Sequence, residues 1–85
     1  MSCKLGQAGS LESSDCLVTV SPADSYELEC VGPNVSLFGD RTARVVEEII
    51  HRFGNSKVRI MIQDQGALEV TLRARLETAL DRFFR

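Results

Sequence analysis

The hydrophobic period of this chain changes three times after Tyr26, and the order of those changes restricts the fold more than any other feature. Tyr26-Glu27-Leu28-Glu29-Cys30-Val31 alternates, with Tyr26, Leu28 and Cys30 on one side and Glu27 and Glu29 on the other, the period of a half-buried strand. From Leu37 to Phe53 the spacing of Phe38, Thr42, Val45, Val46, Ile49, Ile50 and Phe53 is helical, with Arg41, Arg44, Glu47, Glu48 and Arg52 elsewhere. Lys57-Val58-Arg59-Ile60-Met61-Ile62 then alternates again, with Val58, Ile60 and Ile62 inward. Strand, long helix and strand form a crossover. The two strands are expected to run parallel if adjacent, with a right-handed connection.

The flanking segments complete a small α+β unit. Cys16-Leu17-Val18-Thr19-Val20 is a β-branched run stopped by Ser21-Pro22-Ala23-Asp24, and with the alternating run after it reads as a hairpin with one wet face. Gly32-Pro33-Asn34 closes that pair, Ser36 is the expected N-cap of the long helix, and Gly54-Asn55 its end. Asp64-Gln65-Gly66 breaks the next strand, and helical spacing returns from Ala67 to Phe84 through Leu68, Leu72, Leu76, Ala79, Leu80 and Phe83. Asp64 suits the positive end of that helix, and Arg82 and Arg85 its negative end. The expected order is β-β-α-β-α: a small two-layer sandwich, a three-stranded sheet with two helices on one face. Residues 1–15 show no hydrophobic period and read as a flexible N-terminal segment, leaving 16–85 as a single domain.

What the chain lacks excludes several kinds of function. At 85 residues it buries about 60–65% of its unfolded surface, enough for one modest core and not for a deep, separately supported active site. No apolar run reaches the ~20 residues of a membrane helix, and no apolar core follows Lys4 as in a signal peptide. The expected location is the cytoplasm, with no membrane partner. A net charge of −2 argues against a nucleic-acid binder that must neutralise several phosphates. Cys3, Cys16 and Cys30 are odd in number and widely spaced, so they read as small hydrophobes in a reducing compartment, without a disulfide framework or metal site. His51 is the only histidine and reads as a helix-surface residue, leaving no base for a nucleophilic triad. Glu12/Asp15 and Glu27/Glu29 are carboxylate pairs without the burial that separates pKa values. No glycine pattern forms a phosphate cradle.

Ala8-Gly9-Ser10-Leu11-Glu12-Ser13-Ser14-Asp15 resembles the N-terminal attachment motif of the citrate lyase acyl carrier (gamma subunit) family, whose pattern reads roughly A-G-[ST]-L-E-S-x-D. Phe38-Gly39-Asp40, Asp64-Gln65-Gly66-Ala67-Leu68-Glu69 and Leu72-Arg73-Ala74-Arg75-Leu76-Glu77 agree with that family in order and spacing. The resemblance places a covalent prosthetic group, phosphoribosyl-dephospho-CoA, on Ser13 through a phosphodiester. Ser14 stands where the family often has glycine, so it is the fallback site. The resemblance also implies partners. The lyase alpha subunit exchanges carrier-bound acetyl for citrate, the beta subunit cleaves the citryl group to oxaloacetate, and a transferase, the holo-acyl-carrier synthase, installs the arm. The chain itself is then a non-catalytic carrier that needs neither catalytic residue nor metal. Arg73 and Arg75 match an R-A-R block; contact with the arm's phosphates or a sister subunit, and plain helix-surface charge, both stay open for them. Gly9 would let an enzyme cleft reach the serine. Glu12 and Asp15 either bind the metal of the modifying donor or keep the loop solvated.

Other readings are carriers of malonate decarboxylase or of a citramalate-type lyase, which share the anchor. A conventional phosphopantetheine carrier fits less well, because the serine here precedes β-patterned sequence. From other classes, a small interaction domain without a covalent group, or a small serine or cysteine hydrolase, would leave the bare chain unmodified.

Overall fold

The computed structural model describes residues 4–54 and 57–85, so the expected roles of Cys3 and Asn55 lie outside the described residues. The elements are β1 (Gly6–Gly9), β2 (Cys16–Pro22), β3 (Glu27–Val31), α1 (Val35–Phe53), β4 (Val58–Asp64) and α2 (Glu69–Phe84). They form a small α+β unit whose four-stranded sheet has the order β1-β2-β4-β3. None of its helices is long and apolar enough to cross a membrane among the described residues.

β4 lies inside the sheet, between β2 and β3. Its burial alternates along all seven residues, with Val58, Ile60 and Ile62 fully buried. β2 pairs with it antiparallel from Cys16↔Asp64 to Pro22↔Val58, and β3 pairs with it parallel from Glu27↔Arg59 to Val31↔Gln63. The crossover expectation therefore holds for β3, α1 and β4, which are adjacent and parallel. The hairpin expectation does not hold. β2 and β3 sit on opposite sides of β4, joined by residues 23–26, with Ala23 N–H donating to Lys57 C=O at 3.2 Å. Four residues extend about 13 Å, enough to pass over two strand spacings of about 4.8 Å. Separating the two strands gives β4 a bonded neighbour on each side.

The expected three strands become four because Gly6-Gln7-Ala8-Gly9, ahead of the expected domain start at 16, pairs antiparallel with β2 from Gly6↔Val20 to Gly9↔Leu17. This stretch has no β-branched residue, hence no strand signal. Its glycines serve approach. A Cβ on Gly6 would stand 2.1 Å from Ala79 C=O and 2.6 Å from Phe83 N, both on the α2 backbone. Gln7 then ties the edge: its amide donates to Thr19 Oγ1 at 2.9 Å, and its carbonyl accepts from Arg82 at 2.7 Å.

The helices cover one face. Val18 and Val20 of β2, Ile60 and Ile62 of β4, Val45, Val46 and Ile49 of α1, and Leu72, Leu76 and Leu80 of α2 form one fully buried core, with Tyr26, Leu28 and Cys30 packed against it. The other face is wet. There Arg59 pairs with Glu27 and Glu29, surface interactions worth little in stability. α1 begins at Val35, two residues ahead of the expected start, with Asn34 C=O accepting from Leu37 and Phe38 N–H. Ser36 therefore lies inside the first turn and is not the N-cap. Gly54 ends the helix as expected, at φ +70°, its N–H donating to His51 C=O.

This topology decides where the loops meet. β3 and β4 are parallel while β2 is antiparallel to β4 and to β1, so β1, β3 and β4 end where β2 begins. The 10–15 loop, the start of α1 and the start of α2 share that end of the sheet.

Gly6→Ala must push β1 off the α2 backbone, and overpacking of this kind costs about 1–3 kcal/mol. Gly39→Ala is the control, since its Cβ would meet only Val35 Cγ2 at 3.9 Å; it should gain about 0.5–1 kcal/mol. Urea denaturation of both variants checks the contrast.

Candidate functional site at the shared end of the strands

Glu12-Ser13-Ser14-Asp15 is a tight turn closed by Asp15 N–H donating to Glu12 C=O at 3.1 Å. Ser14 occupies the third position at φ +67°, the only described non-glycine residue at positive φ. A left-handed conformation there disfavours any Cβ, which is the physical reason a glycine suits the position. Ser14 N–H donates to Gln65 C=O at 2.8 Å and Gln65 N–H to Asp15 C=O at 2.9 Å. The turn is thus stitched to the segment leaving β4.

Asp15 fixes the other side. Its Oδ1 accepts from Arg75 Nε at 3.0 Å and Cys16 N–H at 2.7 Å, and its Oδ2 from Arg75 Nη2 at 3.1 Å and Ser10 Oγ at 2.7 Å. Ser10 Oγ in turn accepts from Glu12 N–H at 3.2 Å. The Arg75 guanidinium, then the Ser10 hydroxyl and the Cys16 N–H, hold the Asp15 carboxyl well below the usual carboxylate range. Asp15 therefore neither solvates the loop nor has an oxygen free of donors. Arg75, which lies 60 residues from Asp15, is the clamp of the loop, a role the R-A-R spacing did not reveal. Arg73 binds Glu48 of α1 at 2.6 Å and Glu69 of its own helix at 3.1 Å, tying the helices together.

A second brace lies beneath. Asp64 Oδ1 accepts from Gly66 N–H at 3.0 Å and Ala67 N–H at 2.9 Å, and Oδ2 stands 3.8 Å from Arg41 Nη2. Arg41 donates to Ala67 C=O at 3.4 Å and lies over the Phe38 ring, 4.9 Å from its centroid. Asp64 thus orders the turn leading into α2, and with it Gln65. Gly9 serves the loop from inside: at φ +102° its Cβ would stand 1.8 Å from Cys16 C=O. Its requirement is the chain's own exit from β1, whatever an enzyme cleft needs.

Ser13 stands on the outer corner of this turn. Both Ser13 and Ser14 are exposed, and neither hydroxyl has a hydrogen-bond partner among the described residues. Ser14 is pinned by its N–H; Ser13 carries only its side chain outward. His51 is exposed near the far end of α1, about 24 Å along the helix from Val35, too distant to serve Ser13 as a base. The Cys16 thiol is pushed up to about 11, chiefly by burial and then by the Asp64 and Asp15 charges, and stays protonated and inert. Burial likewise raises Cys30.

The loop generates two expectations. Ser14→Gly removes a Cβ from a left-handed position and should stabilise the fold by about 0.5–1 kcal/mol in urea denaturation. Asp15→Asn should flatten the acid limb of the stability curve. A carboxyl depressed below its ordinary 3.8 contributes stability that is present above that value and lost as pH falls below it. Unfolding midpoints between pH 2 and pH 6, compared for the two chains, check the sign.

Residues 4–83 match the acyl carrier family described as "Malonate decarboxylase delta subunit (MdcD)". Curated relatives named citrate lyase acyl carrier protein include those of Treponema denticola, 38% identical over 87% of this chain and 85% of the relative, and of Enterobacter sp., 42% identical over 88% and 78%. That of Haemophilus influenzae is 37% identical over 93% of this chain and 83% of its own. No solved structure matches. With this match running from Lys4 through Phe83, across both the serine turn and the α2 arginine that clamps it, the chain belongs to the acyl carrier protein family that includes the citrate lyase carriers.

Proposed function

We propose that this chain is the acyl carrier subunit of a citrate lyase, located in the cytoplasm, with Ser13 as the covalent anchor of phosphoribosyl-dephospho-CoA. The observation that carries the reading is the Ser13 hydroxyl: exposed, without a partner among the described residues, on the outward corner of a turn braced by Asp15, Arg75 and Gln65. Such an oxygen fits a phosphodiester, because none of the described residues must move to free it. Ser14, held by its backbone at positive φ, is the less suitable neighbour.

The chain's own contribution is positional. Ser13 supplies the ester oxygen, and the proton it loses on modification passes to a base of the modifying transferase, since His51 lies near the other end of α1. The arm, when attached, supplies a thiol that holds an acyl group as a thioester. Fixing its origin to a compact domain raises the effective concentration of that group at the alpha and beta subunits. The anchor turn leads straight into β2 and is bonded to Gln65, just past the end of β4, so the origin of the arm moves with the whole domain. No catalytic group of this chain is needed for either half-reaction.

The family description favours a second reading, the carrier of a malonate decarboxylase. Both share the anchor, so the two differ only in which subunits accept the loaded chain. The test is intact mass and peptide fragmentation of wild type, Ser13→Ala and Ser14→Ala, each coexpressed with the arm synthase and transferase. Expected is the adduct on wild type and on Ser14→Ala, with none on Ser13→Ala. An adduct that survives Ser13→Ala would move the anchor. Addition of citrate lyase alpha and beta subunits, compared with malonate decarboxylase subunits, then separates the two carriers by which set turns over.

A further inference from the structure

Among the described residues, every exposed large apolar side chain except Leu5 lies at the end of the molecule that presents Ser13. Leu37 is 75% exposed, Val70 71%, Leu68 70% and Leu11 55%, and Val31 and Phe38 are exposed at the same end. The placement follows from topology. Leu11 belongs to the serine loop, Val31 ends β3, Leu37 and Phe38 open α1, and Leu68 and Val70 open α2. Isolated exposed leucines are ordinary on a soluble protein; their concentration at one end, with Leu5 elsewhere, is not.

The charges at this end are equally uneven. Arg41, Arg73 and Arg75 are each engaged with carboxylates of this chain, while the Glu12 and Asp40 carboxylates are exposed and unpaired among the described residues. A second copy meeting this face would set like charges together, which disfavours self-association. An occupant with an apolar rim flanked by Lys or Arg is complementary. Among the described residues, the arginines of this face, Arg41, Arg73 and Arg75, are already paired, so cations for the phosphates of a donor must arrive with the partner.

We infer that this apolar, acid-edged end is the docking face for the transferase that esterifies Ser13. The inference rests on the carrier reading above and deepens it. The lyase subunits act on a thiol at the far tip of an arm and are free to bind elsewhere on the domain. The transferase reacts at Ser13 Oγ itself, so its cleft must cover the residues around that atom.

The experiment is steady-state modification of the apo chain by purified transferase and its activated donor, followed by intact mass. Leu37→Glu/Leu68→Glu should raise KM for the carrier about tenfold or more, with kcat within about twofold. Leu5→Glu should leave both constants unchanged. Glu12→Gln/Asp40→Asn tests the electrostatic half without altering apolar area: its KM should rise and should depend less on salt than the wild-type KM. Far-UV CD and thermal midpoints confirm that each chain is folded. A wild-type KM in the folded Leu37→Glu/Leu68→Glu chain overturns the docking face while leaving Ser13 modified and the carrier reading intact. A wild-type chain that takes no adduct defeats the carrier reading, and the docking inference falls with it.

Discussion

The bidentate ion pair between Arg75 and Asp15 is the interaction on which the serine turn depends. It is half-exposed at the guanidinium, so solvent screens it and its contribution to global stability is small. Its importance is geometric. A planar guanidinium accepts only a narrow range of carboxylate orientations, and Asp15 is simultaneously held by Ser10 and by the Cys16 N–H. Orienting one carboxylate therefore orients the whole loop from Ser10 to Cys16.

That arrangement needs everything beneath it. Arg75 can reach Asp15 only because α2 packs under β1 and β2, and it does so because Gly6 lets β1 approach the backbone at Ala79 and Phe83. Gln65, which receives the Ser14 N–H, is positioned by Asp64, whose carboxylate fills the amides of Gly66 and Ala67. The core of Val18, Ile60, Ile62, Leu72 and Leu76 sets sheet and helix at the distance that these bonds require. Sheet, helix and loop are one mechanical unit, and Ser13 is the part that faces outward.

How much of this was legible in the sequence follows the range of each interaction. β2, β3 and β4 and both helices could be read because period and composition are local, and residues such as Val58, Ile60 and Ile62 declare their face without reference to a partner. The order of strands was not legible, since placing β4 between β2 and β3 is decided by pairing across the chain. β1 was invisible for a related reason: glycine lowers strand propensity locally, and only the closeness of α2 reveals why Gly6 and Gly9 belong in a sheet. The serine was legible only through a family resemblance, because a short run of Ser and Gly signals a turn in any protein. The Asp15–Arg75 clamp spans 60 residues, and nothing periodic marks its partners. The positive φ of Ser14 explains afterwards why two adjacent hydroxyls are not equivalent.

Ser13 stands on a turn already braced by Asp15, Arg75 and Gln65. The measurement to make is backbone 15N relaxation on the unmodified chain, with Leu76 of the core as the internal rigid reference. A preformed turn gives order parameters of about 0.85 for the amides of Ser14, Asp15 and Cys16, the value of rigid backbone. Values below about 0.6 at those amides, with Leu76 rigid, would show a mobile tether and contradict it.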